Sequence, residues 1–240
     1  MKFGKVIRKA IAACPSEWED NWMDYKNFKM IIAEIEKEKK DKLEQLQKEK
    51  GTSEDIAIDI TSLEKEKLFF KQLTESVLRV DTFFHQVQVQ YIVEVKALIE
   101  EVKTVDSCPK DKLESTIEAL LEKCRELHGK LLLLEMFAHV NYCGFTKITK
   151  KHDRMTGYVT QKKYMQRKVN VTSFSSFTLL RNSVRIVEDQ YIVLSKCLSH
   201  IKTIPPIAKS REVKEVNDSL IEIDKKADEG RSEERRVGKE

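Results

Sequence analysis

A chain of 240 residues with 35% charged and 40% hydrophobic side chains, 7 Gly and 4 Pro has apolar material for a real core. It has too few turn formers for a many-stranded fold, so long helices are expected. The net charge of +4 is too small to name a partner. The cysteines at 14, 108, 124, 143 and 197 show no CxxC or Cys/His metal spacing, which fits reduced thiols in the cytoplasm rather than a disulfide framework or a metal site.

Residues 2–13 read as a short amphipathic helix with Phe3, Val6, Ile7 and Ala10 on one side. Arg8 and Lys9 interrupt its apolar run, so it is not a signal peptide. Pro15-Ser16-Glu17-Trp18 resembles a helix start, with acids at 17, 19 and 20. The helix expected from there carries Trp18, Trp22, Tyr25 and Phe28 and runs past Ile35. Residues 36–50 are mostly Glu and Lys and Gly51 follows, which predicts a solvated connection or, for the Glu/Lys run over 34–50, a water-facing helix. A long helix is predicted over about 60–104, where Phe69, Leu73, Val77, Val80, Phe84, Tyr91, Val95 and Leu98 recur at three or four residues. Val105-Asp-Ser-Cys-Pro109 ends it. A second long helix is predicted over about 110–155, a polar loop over 156–172, and a third long helix over about 174–202 before Pro205-Pro206.

The expected fold is all-α: a short N-terminal helical hairpin packed on an antiparallel bundle of three long helices. The domain is expected to occupy 1–204. Residues 205–240 read as a charged tail, with a marginal helix near 210–227. The last ten residues, 231–240, break from this composition and resemble a translated sequencing adapter, so a native C-terminus is not expected there. No run of about 18 apolar residues spans a membrane.

The charge is unevenly placed. From Asn141 to Lys168 there are eight Lys or Arg and one Asp, a balance of +7, so the rest of the chain sums to −3. Within Asn141-Tyr-Cys-Gly-Phe-Thr-Lys-Ile-Thr-Lys-Lys-His-Asp153, helical spacing puts Lys147, Lys150 and Lys151 on one side, with Arg154 extending the row over an arc of about 100°. Phe145, Ile148 and His152 fall opposite. A helix apolar behind and cationic in front presents a surface to a polyanion. The plain alternative is that cations near a helix C-terminus complement its macrodipole, worth about 0.3–1 kcal/mol each. For His152 a hydrogen-bonded core position is expected, not a base or a ligand. Lys162, Lys163, Arg167 and Lys168 read as a solvated loop.

Three ordered motifs carry a resemblance. The start Met1-Lys-Phe-Gly-Lys5, then Pro15-Ser-Glu-Trp18 and Tyr25-Lys-Asn-Phe-Lys29, a middle block Glu64 to Phe70, and the stretch 141–154 followed by Thr156-Gly157 resemble the SPX domain family over about residues 1–204. The resemblance implies a helical sensor of inositol polyphosphates, above all inositol pyrophosphates, used in phosphate homeostasis. It implies a phosphate-binding cluster at Lys2, Tyr25, Lys29 and Lys147, and a neighbouring lysine surface at Lys150, Lys151 and Arg154. Thr146 stands where many members carry Arg or Lys, and Arg154 where Lys is commoner. Family members occur alone or fused to transporters, phosphodiesterases, polyphosphate polymerases or ubiquitin ligases, so a protein partner or fused effector is expected. A transporter parent would place the domain on the cytosolic face of a membrane.

The residue chemistry suits this role. Lys offers three donors as a compact charge, and Tyr25 and Lys29, four apart, share a helical face. No Gly-rich phosphate loop, HExxH or GxSxG motif appears, so no enzyme and no cofactor is expected in these residues. The competing reading is a helical adaptor whose basic face meets anionic lipid or an acidic protein. Nucleic acid is not expected, for want of a base-reading motif or an exposed aromatic platform.

Overall fold

The computed structural model describes residues 2–50 and 63–199, excepting the side chains of 49, 50, 106, 110 and 111. The tail 205–240, with the helix expected near 210–227, lies outside the described residues. Helix α1 spans Phe3–Ala13 and buries the expected stripe of Phe3, Val6, Ile7 and Ala10. It stops at Cys14, which is extended, as the position before a proline favours.

The single helix expected from Pro15 through Ile35 is in fact two elements. Ser16–Asn21 forms a 3-10 turn, Trp22 is extended (ψ 151°), and α2 begins afresh at Tyr25 and runs to Lys50. Tertiary contacts make the break. The Met23 N–H donates to the Asn141 side-chain oxygen at 3.0 Å, and the Arg79 guanidinium donates to the Trp22 carbonyl at 3.2 Å. Asp24 then caps the new helix by accepting the Asn27 N–H at 2.9 Å.

Of the two readings of the Glu/Lys run, the water-facing helix holds and the solvated connection is corrected, because α2 continues through 36–50. Its polar residues support the ends of its neighbours. The Glu38 carboxylate accepts the N–H groups of Glu64 and Lys65 (3.2 and 3.1 Å) at the start of α3. Lys39 donates to the Thr156 carbonyl (3.4 Å) at the end of α4. An acid at one helix's N-terminus and a base at the other's C-terminus are the signs that the two dipoles favour. Residues too polar to build a core are therefore held in a helix by satisfying orphan backbone groups.

Helix α3 (Glu64–Lys103) and helix α4 (Lys110–Thr156) form the spine. Contacts descend along α3 as they ascend along α4: Glu101 meets Lys123, Glu94 meets Lys130 and Glu66 meets His152. The pair is therefore antiparallel. The expected loop 156–172 contains helix instead. Gly157, at φ +80°, ends α4, then α5 (Gln161–Tyr164) runs into a π-turn over Met165–Val169 that buries Met165 and Val169. The Asp153 carboxylate takes the N–H groups of Thr160 and Gln161 at 2.9 and 2.8 Å, capping α5. After a 3-10 turn at Ser173–Ser175, α6 (Thr178–Leu198) packs on α4 and α3. Its contacts Glu135–Arg181, His128–Glu188 and Arg125–Tyr191 show that it is antiparallel to α4.

The three-helix bundle is as expected, and the described residues contain no strand. The N-terminal hairpin is not short, because α2 is longer than α6. The core is aromatic at its centre. Phe69, Phe84, Phe137, Phe145 and Phe174 are fully buried, and Phe137 meets the rings of Trp18, Trp22 and Phe83 within 5.8 Å.

Candidate polyanion-binding surface

The site begins with how α1 is seated. Phe3 is buried and meets the Tyr25 ring edge-on at 4.8 Å, which places exposed Lys2 beside the start of α2. Edge-to-face ring pairs of this kind add about 0.5–1.5 kcal/mol beyond simple burial. Tyr25 is half-buried, and Lys29, one turn on, is exposed.

Between α1 and the start of α2 lies a cleft of about 890 Å³ whose walls include Lys2, Tyr25 and Lys29. Four further cations line it: Lys5, Arg8, Lys26 and, from α3, Arg79. Three carboxylates, Glu19, Asp20 and Asp24, lie there too, so six cations stand against three acids. Asp24 is already engaged in capping α2. Arg8, Lys26 and Arg79 were not selected from the sequence. Arg8 and Lys26 carry no pattern that separates them from other surface cations, and only folding brings α3 to the cleft.

The cationic row on α4 has the expected polarity. Lys150 and Arg154 are exposed and Lys147 and Lys151 half-buried, whereas Phe145, Ile148 and His152 opposite are fully buried. Lys147, Lys150, Lys151 and Arg154 are not among the residues lining the α1–α2 cleft. Of the four, Arg154 is near enough for its charge to act on Tyr25. Burial pushes the Tyr25 phenol pKa up, and the positive charge of Arg154 partly offsets this. The phenol therefore stays protonated at neutral pH, as a neutral O–H donor.

The macrodipole alternative accounts for only part of this row. Arg154 and, from α2, Lys39 sit at the last turn of α4. Lys147 lies nine residues before Thr156, about 13.5 Å along the axis at 1.5 Å per residue, beyond the last turn where the dipole acts. Lys147 and Lys150 are thus not explained as dipole partners. Lys162, Lys163, Arg167 and Lys168 are exposed, but on α5 and its π-turn rather than on a loop.

Beneath the row, His152 anchors α4. Its ring stacks on Phe69 (4.9 Å, 10°), Nε2 faces both Glu66 oxygens at 2.9 and 3.0 Å, and Nδ1 faces Asp153 at 3.2 Å. Burial lowers the imidazole pKa, but the hydrogen bonds and charges of Glu66 and Asp153 outweigh it, and the net shift is upward. For Asp153 burial works upward, while hydrogen bonds from Thr160, Gln161 and His152 carry the net shift down. A core histidine was expected, and its partners make the role structural. Among the described residues, no group of three or more His, Cys, Asp or Glu is arranged to hold a metal ion, and no helix is long and apolar enough to cross a membrane.

The class of protein defined by this architecture is a helical domain, strand-free among the described residues, whose N-terminal helix packs on the helix that carries the cationic row. The SPX domain family model matches residues 106–168. SPX domain-containing protein 2 of Arabidopsis thaliana is 27% identical over 219 residues, covering 90% of this chain and 70% of the relative. SPX domain-containing protein 1 of the same plant is 26% identical over 193 residues, covering 78% and 70%. The fold matches a solved SPX domain, that of Chaetomium thermophilum glycerophosphodiester phosphodiesterase 1 in complex with inositol hexakisphosphate. The TM-score is 0.61 at 24% identity, over 81% of this chain and 99% of that one. The chain is thus similar to SPX domain proteins in sequence and resembles a solved SPX domain in fold.

Proposed function

We propose that this chain is a regulatory module that binds inositol polyphosphates, with Lys2, Tyr25, Lys29 and Lys147 as the central contacts and Lys150, Lys151 and Arg154 as the flanking surface. The observation that carries the reading is the position of Tyr25. It touches α1 through Phe3, begins the helix that bears Lys29, and feels the charge of Arg154. In this reading one polyanion seated at Tyr25 takes donors from the N-terminal segment, α2 and α4. The solved relative bound to inositol hexakisphosphate supports the ligand class.

The energetics favour a ligand with many phosphates. Each cation–phosphate contact near a surface contributes about 4 kcal/mol of gross Coulomb energy at 4 Å, before desolvation is subtracted. One phosphate gathers few such contacts, and six gather several. Binding that bridges the cations of the N-terminal segment and α2 with those of α4 changes the surface offered to a protein partner or an attached domain, and in this reading that change is the signal in phosphate homeostasis.

Calorimetry with inositol hexakisphosphate at fixed salt tests the site. The triple variant Tyr25→Phe, Lys29→Ala, Lys147→Ala is expected to lose most of the affinity, and binding by the parent chain should weaken steeply with added salt. A triple variant that binds as tightly as the parent refutes the assignment.

A further inference from the structure

The segment 22–24, which separates the 3-10 turn from α2, is gripped from two sides. From α4, the Asn141 side-chain oxygen accepts the Met23 N–H (3.0 Å), while its amide donates to the Phe137 carbonyl at 2.8 Å. Asn141 is wholly buried, so its orientation is fixed by those two bonds. One turn along the same face, Gly144 leaves room for the Met23 side chain. A Cβ at Gly144 would stand 2.1 Å from the Met23 sulfur and 3.3 Å from its Cγ. Met23 is only 2% exposed, so its thioether has no solvent to swing into. From α3, Arg79 donates to the Trp22 carbonyl.

None of these contacts is needed to make α4 a helix or the bundle a bundle. Their common object is the place where α2 begins. Tyr25 is the first residue of α2, its own N–H donates to the Met23 carbonyl at 2.9 Å, and Lys29 follows one turn later. Moving Met23 therefore moves the phenol and the ammonium together. Side chains that contact a ligand work only when held to within a fraction of an ångström by what lies behind them.

We infer that Asn141 and Gly144, with Arg79 opposite, are positioning residues that set where Tyr25 and Lys29 stand relative to the cationic row of α4. The 141–154 stretch then has two tasks on one helix. Its first turn locates the α2 side of the site, and its last two turns supply the cations. This rests on the proposed inositol polyphosphate site and deepens it.

Two measurements test the inference. Amide hydrogen exchange by NMR, without ligand, reads the grip directly. In Asn141→Ala the Met23 amide should lose its protection while amides in the middle of α3 and α6 keep theirs. Unchanged Met23 protection, or equal loss throughout the bundle, overturns the clamp. Calorimetry with inositol hexakisphosphate reads the consequence. Gly144→Ala should weaken binding about tenfold, and Tyr25→Phe should then add less than about twofold, although it costs several-fold in the parent chain, because contacts in one unit are not additive.

Adding Met23→Ala to Gly144→Ala makes room for the new methyl and should restore most of the affinity, an outcome that a general loss of stability does not produce. Additive losses, or no rescue, overturn the positioning role. If the parent chain fails to bind inositol hexakisphosphate while Met23 exchange responds as expected, the ligand reading falls and the positioning role with it, and the clamp stands as architecture only.

Discussion

Glu66→Gln tests whether the buried contact beneath the lysine row is an ion pair. His152 is wholly inaccessible, Glu66 is 5% exposed, and two N–O approaches of 2.9 and 3.0 Å join them. Breaking a buried pair by removing one partner costs about 3–5 kcal/mol. Gln keeps the shape and one acceptor, so the expected cost is smaller, about 2 kcal/mol. For a domain of this size that corresponds to a melting temperature roughly 4–8 °C lower.

The pH dependence gives the sharper test. The folded-state pKa of His152 lies above its usual value. The pair's contribution is therefore complete below about pH 6.5, the unfolded value, and is lost as pH rises through the folded value. The gap between parent and variant should be widest near pH 6 and should close as pH climbs through that folded value. Thermal unfolding followed by circular dichroism over a pH series from about pH 6 upward, with His152 titrated by NMR in the parent chain, checks this. A gap that does not close as His152 titrates, or no gap near pH 6, refutes the ion-pair account.

Gly157 ends α4 at φ +80°, so Gly157→Ala should destabilise by about 1 kcal/mol through backbone strain alone. Chemical denaturation should show a lower midpoint with an unchanged slope. Glu38→Ala removes the acceptor for the first N–H groups of α3. A loss of about 1 kcal/mol is expected, as for a missing helix cap, and hydrogen exchange should locate the change at Glu64 and Lys65.

How much was legible beforehand follows from which interactions are local. The stripes on α1, α3 and α4 are visible because burial on one helix face imposes its period on the sequence. The elements misread were those whose backbone partners are remote. The break before α2 depends on Asn141 and Arg79, both far along the chain from Met23. Helix α5 depends on a carboxylate from α4. Periodicity carries no trace of a cap supplied by another helix.

The site divides in the same way. The sequence by itself determined the cationic row on α4, its apolar back and the short amphipathic start, because each is written in the spacing of neighbouring residues. Only the tertiary structure decided that Lys2, Tyr25 and Lys29 share a cleft with Arg79, and that Asn141 and Gly144 hold the hinge from which Tyr25 projects. A cleft is a relation between elements far apart in the chain, and their meeting is fixed by packing and by buried hydrogen bonds, which no local pattern encodes.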